Sequence, residues 1–423
     1  MKKYFINSTR AVVFLTIALL FSGCLKDTIK HTYTYSWYEP LYKTKAEVFA
    51  DITKSNSPKE IENPGKIFIN GKYIFLNEIG KGIHVLDNSD PSSPKNVAFI
   101  NIAGNVDMAV KGNILYADIY SDLVTLDITD PLHVSNTKIV EDAFSGNSYY
   151  SYGYGTDSGK IIYDWKRHDT TIISDQQPSP QGWPGGIVYY AYASSSQANA
   201  ISAPTGIAGS MSRFAVVNDY LYTAGYSDLN VFNISTPQNP TFDDKVSIGS
   251  WNIETIFPFK NKLFIGSQNG MYVYNINNPG QPAFDGKFGH VQSCDPVVAD
   301  DQYAYVTLRS GTKCQGFTNQ LDILALNDLT NPSLLKTYNL TNPHGLSKDG
   351  DILFICDGSD GLKVYNAADA NNLKMIKHFS NLETYDVIAY NNIALVVAKD
   401  GLYQYDYSNI NDIRLLSKLN ISK

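Results

Sequence analysis

Gly82-Ile-His-Val-Leu-Asp87-Asn-Ser-Asp-Pro91 alternates like a strand and then closes in a turn, and the chain repeats this pattern along its length. Further copies are Asp122-Leu-Val-Thr-Leu-Asp127-Ile-Thr-Asp-Pro131, Asp228-Leu-Asn-Val-Phe-Asn233-Ile-Ser-Thr-Pro237 and Gly270-Met-Tyr-Val-Tyr-Asn275-Ile-Asn-Asn-Pro279. Leu324-Ala-Leu-Asn-Asp328-Leu-Thr-Asn-Pro332, Gly361-Leu-Lys-Val-Tyr-Asn366 and Gly401-Leu-Tyr-Gln-Tyr-Asp406 bring the set to seven. Each copy ends in Asp or Asn, whose side chain can bond the backbone two residues on. The first five then place Pro four residues later, where a ladder must stop. Successive anchors lie 40, 106, 42, 53, 38 and 40 residues apart, a period near 40 with one large insertion and one smaller. Four short strands per period predict an all-β fold, a seven-bladed β-propeller of four-stranded antiparallel blades.

Working outward from the second copy, Met108-Ala-Val-Lys, Ile114-Leu-Tyr-Ala, Leu123-Val-Thr-Leu-Asp and Ser135-Asn-Thr-Lys-Ile-Val read as its four strands. A lone blade cannot cover both faces of its sheet, so the blades must pack face to face in a closed ring. Helical periodicity is not found, and Ala46-Glu-Val-Phe-Ala-Asp-Ile52 reads as an extra strand that fastens the ring. Composition agrees: 43% hydrophobic against 18% charged residues is a globular mixture, and 30 Tyr, 30 Gly and 18 Pro favour strands and tight turns. A net charge of −7 without a basic run argues against a nucleic-acid groove.

The chain opens as an address. Lys2, Lys3 and Arg10 precede the apolar run Ala11–Phe21, which has the length of a secretory signal core and is short for a bilayer span. Leu20-Phe21-Ser22-Gly23-Cys24 resembles a bacterial lipoprotein box, with Phe21 where Leu is more usual. The domain reading is therefore a signal peptide over 1–23, a lipid-anchored spacer over 24–42 and the propeller over 43–423, with a Tyr/Gly/Ser-rich insertion at about 141–212. Acyl chains on Cys24 would tether the protein to the cell envelope, at the outer membrane, on its periplasmic or its exposed side.

The repeats as a whole resemble the LVIVD-repeat proteins, lipoproteins of Bacteroidetes-like bacteria. The likeness covers nearly all of 60–423. It is carried by Gly82 to Pro94, by Cys294-Asp-Pro-Val-Val298, by Tyr303-Ala-Tyr-Val-Thr-Leu-Arg309 with Cys314, and by Asp400-Gly-Leu-Tyr-Gln-Tyr-Asp-Tyr407. The resemblance implies a β-propeller on a lipid anchor and no established activity.

Loop lengths select a working end. Within a blade the turns joining strands one to two and three to four are short, whereas the long excursions, Glu141 to Ser212 and Arg309 to Gln320, leave from the other end. The large insertion carries Tyr149, Tyr150, Tyr152, Tyr154, Trp165, Trp183, Tyr189, Tyr190 and Tyr192. It reads either as a binding surface for sugar rings or a protein, or as a lid on the rim. Ile161-Ile162-Tyr163 and Gly186–Tyr190 suggest a hairpin inside it. At the start of the first strand of each blade stand Lys66, Asp107, Arg213, Glu254, Asp295, His344 and Asp386, flanked by Trp251 and Arg309. That column is the candidate ligand-binding channel mouth, unless strand starts are polar only because they are wet.

Cys294 and Cys314 fall at the same end and are candidates for a disulfide pinning the long loop, or a pair of free thiols; Cys356 reads as core. No zinc or phosphate-loop motif is present, and Gly345-Leu-Ser347-Lys-Asp349 lacks the closing Gly of a nucleophile elbow. No cofactor is expected. Asp349-Gly-Asp351 and Asp357-Gly-Ser-Asp360-Gly361 have oxygen spacing suited to calcium, but turn chemistry explains them more simply. The sequence thus predicts an envelope lipoprotein scaffold that binds a glycan, peptide or partner protein. The alternatives are a lyase or hydrolase of a polysaccharide using the channel-mouth residues, and a structural part of an outer-membrane assembly. Cys24→Ala is expected to release the protein from the membrane fraction of cells; continued tight membrane association would refute the anchor.

Overall fold

A computed structural model describes residues 31–53, 57–144, 160–174, 207–250, 252–289, 296–311 and 318–422. The chain divides into two units, Met1–Glu39 with Trp165–Val188, and Pro40–Asp164 with Tyr189–Lys423. Eight sheets are present among the described residues, six of four strands, one of five and one of two.

Seven of these sheets follow the repeat. Each is a meander whose strands neighbour one another in chain order, from an inner strand outward. The inner strands are Pro64–Asn70, Met108–Lys111, Phe214–Val217, Ile253–Phe259, Val297–Ala299, Leu346–Asp349 and Thr384–Tyr390. Each packs on the next, from first to seventh. The ring-like succession then closes on itself: Ile61, Ile67, Ile74, Leu76 and Leu86 of the first sheet share one core with Ile388, Leu395, Val397 and Leu402 of the seventh. Polar contacts reinforce the seam. Gln404 Nε2 donates to Asn88 Oδ1 (2.7 Å) and to Pro91 O (3.1 Å), and Ser422 N donates to Ile61 O (2.8 Å).

The recurring turn chemistry has a visible use. Oδ1 of Asp87, Asp127, Asn233, Asn275, Asn366 and Asp406 each accepts from the backbone N–H two residues on. The fifth copy is displaced from the sequence alignment: its strand, Gln320–Ala325, ends in Ala325, and Asp328 plays the part that Asp90 plays in the first. At four of the turns, those of Pro91, Pro237, Pro279 and Ala370, the residue that begins the turn serves the neighbouring sheet through its carbonyl. Tyr116 Oη donates to Pro237 O and Tyr222 Oη to Pro279 O, both at 2.8 Å, and Tyr338 Oη to Ala370 O at 3.0 Å. Pro is thus replaceable there, because the acceptor is backbone.

Outer strands would be exposed edges, and all seven are interrupted in the same register by a bulge, at Val85/Leu86, Thr125/Leu126, Val231/Phe232, Val273/Tyr274, Ile323/Leu324, Val364/Tyr365 and Gln404/Tyr405 of the strand they pair with. A bulge twists an edge away from further pairing.

Residues Lys45–Ile52 form a helix, α1, not the fastening strand that the sequence suggested. Thr44 and Glu47 complete a capping box, and Val48 and Ile52, one turn apart, are the two buried side chains. Ala46, Val48, Ala50 and Ile52 alternate as in a strand, and over eight residues that alternation is indistinguishable from one helix face. The expected hairpin also differs: Ile161–Tyr163 lies in the strand Lys160–Ser174, which pairs with His31–Thr44, while 186–190 falls outside the described residues. In the smaller unit Trp37 stacks on His168 with ring centroids 4.3 Å apart, and its Nε1 donates to Thr170 Oγ1.

Candidate functional site

The axis of the repeat sheets is occupied by the chain itself. Returning from the insertion, Ile207 and Ala208 pair with Ile69 and Phe68 as a fifth, innermost strand of the first sheet. Ser210 Oγ then accepts from Leu346 N of the sixth sheet at 2.6 Å. Ser212 Oγ donates to Asp107 Oδ1 of the second sheet, and Ser212 O accepts from Ile256 N of the fourth. Only a segment running along the centre can bond the inner strands of four different sheets. Ser210, Met211 and Ser212 are accordingly buried. Gly345 leaves room for this approach: a Cβ there would stand 3.0 Å from Ser210 Oγ and 2.3 Å from Asp386 Oδ1.

The predicted column is drawn around that segment. Lys66, Asp107, Arg213 and Asp386 stand in one register, each the same number of steps before the residue that ends its inner strand (Asn70, Lys111, Val217, Tyr390). Glu254 and His344 do not. Thr255 and Gly345 hold the equivalent places, and Glu254 is the unpaired bulge residue between Ile253 and Thr255. Glu254 and His344 each lie one residue before the column; the seventh sheet carries the same bulge, at Tyr385, and still has Asp386 in place, so spacing alone does not show which neighbour takes the position. Lys66, Asp107, Arg213, His344 and Asp386 are all buried, while Glu254 is half-buried and accepts from Asn252 Nδ2. Trp251, Cys294, Asp295 and Cys314 lie outside the described residues, as do Cys24 and nearly all the aromatic part of the insertion.

Three members of the column meet. Asp107 Oδ2 receives Lys66 Nζ and the backbone N–H of Arg213, each at 2.5 Å. Burial pulls Lys66 below its usual range, against the attraction of Asp107 and with the help of Arg213. His344 is a separate case: its ring packs edge-on against Tyr385, and burial together with Arg309 pulls it down to about 3. It is a neutral imidazole at physiological pH.

A second row of buried carboxylates went unnoticed in the sequence. Glu78, Asp118 and Asp357 stand at the end of the second strand of their sheets and collect backbone N–H groups of the loop entering the inner strand: Glu62 and Asn63, Val106 and Asp107, Thr341 and Asn342. Helix-free loops have few ways to satisfy buried amides, so a carboxylate in that place does it. Asp357 and Asp360 also grip Lys363 Nζ, at 2.5 and 2.6 Å, and Asp349 accepts from Tyr407 Oη. Their oxygens are engaged as turn and packing groups, and an ammonium stands where calcium would have to bind. Among the described residues no group of His, Cys, Asp and Glu is arranged to hold a metal ion. Cys356 is fully buried, with its thiol pushed up by burial.

A sheet meander closed ring-fashion, with an internal strand along its axis, defines a propeller-like all-β protein. The LVIVD repeat model matches residues 64–100 and 208–247, so these two stretches of the chain carry LVIVD repeats. No curated protein sequence matches it significantly. Among solved structures the chain is similar to a protein from Lactobacillus plantarum (14% identity, TM-score 0.54, covering 85% of this chain and 97% of that one). It is similar also to the periplasmic gluconolactonase PpgL of Pseudomonas aeruginosa (12%, 0.52, 84% and 96%) and to the computationally designed Ika8 protein (11%, 0.50, 87% and 90%). At such identities the likeness is one of fold.

Two outcomes test the axial cluster. Asp107→Ala strands the buried Lys66 ammonium and is expected to cost roughly 3–5 kcal/mol in chemical denaturation; unchanged stability would show that the pair is not holding the axis. For His344 the folded value of about 3 lies below the ordinary 6.5, so the unfolded chain binds more protons between them. Its contribution to stability is whole above about 6.5 and is lost as the pH falls toward 3. His344→Gln should therefore flatten the decline of Tm across that acid range, and parallel declines would refute the assignment.

Proposed function

We propose that the chain is a seven-bladed β-propeller, anchored through Cys24 to the outer membrane, that serves as a non-enzymatic scaffold. It binds a glycan, peptide or partner protein at its loop-rich end. The observation that carries this reading is the filled axis: Ile207–Arg213 takes the central position and Asp107 is already committed to Lys66 and Arg213. Two of the charges that a channel-mouth enzyme would turn on substrate, Lys66 and Asp107, are spent on each other and on the protein's own chain. Binding is then left to the rim, where the insertion and the long loops emerge.

The rival reading is an enzyme acting on a sugar derivative, for which the fold likeness to PpgL is the supporting observation. Fold likeness of this degree does not carry chemistry with it. The discriminating experiment is a glycan and peptide array probed with the mature protein and with a variant in which 145–206 is replaced by a short linker. Turnover of gluconolactone is assayed in parallel. The scaffold reading expects array binding that falls on removal of the insertion while Tm holds, with no turnover; lactone hydrolysis abolished by Asp107→Asn would overturn it.

A further inference from the structure

At the loop-rich end the larger unit contains a cleft of about 240 Å³ that the axial cluster does not use. One side is helix α1, which supplies Val48 and Asp51; another is the first sheet, with Lys59, Lys81, Asn101 and Ala103; the third is Tyr163 and Asp164 from the insertion's strand. Lys81 sits in the turn between the second and third strands of its sheet, and Asn101 and Ala103 where the outer strand leaves for the next sheet. These are connections of the end assigned to binding.

Its cations are unequally partnered. Lys43 Nζ is bonded to Asp51 Oδ2 at 2.5 Å and lies 4.2 Å over the Tyr163 ring. Lys81 Nζ is paired with Glu62 Oε2 at 2.7 Å. Lys59 donates to the neutral amide oxygen of Asn101 at 2.7 Å and lies 4.2 Å over Phe99, and among the described residues it has no ion-pair partner. Asn96 Nδ2 holds its backbone carbonyl at 2.7 Å, so its stem is placed by the sheet. Partial burial and the neighbouring Lys81 both hold Lys59 below its usual range. Three ammonium groups, of Lys43, Lys59 and Lys81, therefore face one cleft beside the carboxylates of Asp51 and Asp164; Lys43 and Lys81 are ion-paired, and Lys59 is left to receive an incoming anion.

The remaining lining narrows the class of anion. Asp164 and Asn101 offer acceptors and an amide to hydroxyl groups, and Val48, Ala103 and Tyr163 offer an apolar wall. The volume is below that of sites for drug-sized ligands, so it suits a single small unit and not an oligomer chain. We propose that the cleft formed by Lys59, Lys81, Asn101, Tyr163 and Asp164 binds the carboxylate and hydroxyls of an acidic sugar residue. The assignment deepens the scaffold reading and rests on it: it names the ligand as the uronate type of glycan.

The test is calorimetric titration of the full mature protein with glucuronate, with glucose and acetate at matched ionic strength as comparators. Wild type, Lys59→Gln, Lys59→Arg and Lys81→Gln are each checked for an unchanged Tm. Glucuronate is expected to bind at least about tenfold more tightly than either comparator, Lys59→Gln to lose about tenfold, or ~1.4 kcal/mol, and Lys59→Arg to keep most of the affinity. Equal binding of glucuronate and glucose, equal binding of acetate, or an affinity untouched by Lys59→Gln would each overturn the assignment. Array binding to neutral glycans or peptides that Lys59→Gln leaves intact would also overturn it, yet would leave the scaffold reading in place.

Discussion

The buried carboxylate of Asp107 is the point on which the centre of the molecule turns. It faces inward at the start of the second sheet, where a lone negative charge would be costly, and it is held by Lys66 of the first sheet and by two residues of the returning insertion. An exposed ion pair would be worth little; a buried one is expensive to break because either partner alone is left without solvent. The consequence is structural before it is functional. Residues 207–213 are fixed in place, because they are bonded across the axis to sheets that come before and after them in the chain.

Around that centre, the sheets solve two problems of β architecture with repeated local devices. Both faces of each sheet are apolar, so neighbours must cover them, and the first sheet covers the seventh through a shared aliphatic core. The outer strands meet solvent, and the same bulge breaks each of them. Turn carbonyls at Pro237, Pro279, Ala370 and Pro91 accept from the sheet before, so that the motif which ends a strand also glues two sheets together. Filling the axis moves the chemistry outward. Helix α1 and the insertion's strand then matter because they add walls that seven similar sheets could not provide alone.

The repeat was legible because its signals are local. Asp or Asn two residues before the amide it caps, short alternating strands and a period near 40 all sit within one span of chain, and six of the seven caps form as read. Errors came where a single residue changes register. In the fifth copy spacing points to Asp328 where Ala325 ends the strand, and it points to Glu254 and His344 where Thr255 and Gly345 stand. Over Lys45–Ile52 alternation suggests a strand, whereas Thr44 and Glu47 form the capping box of a helix start.

By itself the sequence determined the all-β class, the repeating sheet, its capped turns and the end at which the loops gather, since these follow from propensity and spacing over a few residues. Only the tertiary structure decided that Lys66, Asp107 and Arg213 of the ionisable column are buried and meet one another, and that the returning chain is bonded among the inner strands. The contacts responsible, Arg213 with Asp107 and Leu346 with Ser210, join residues 106 and 136 positions apart, and no local pattern encodes which distant strand a returning loop will meet.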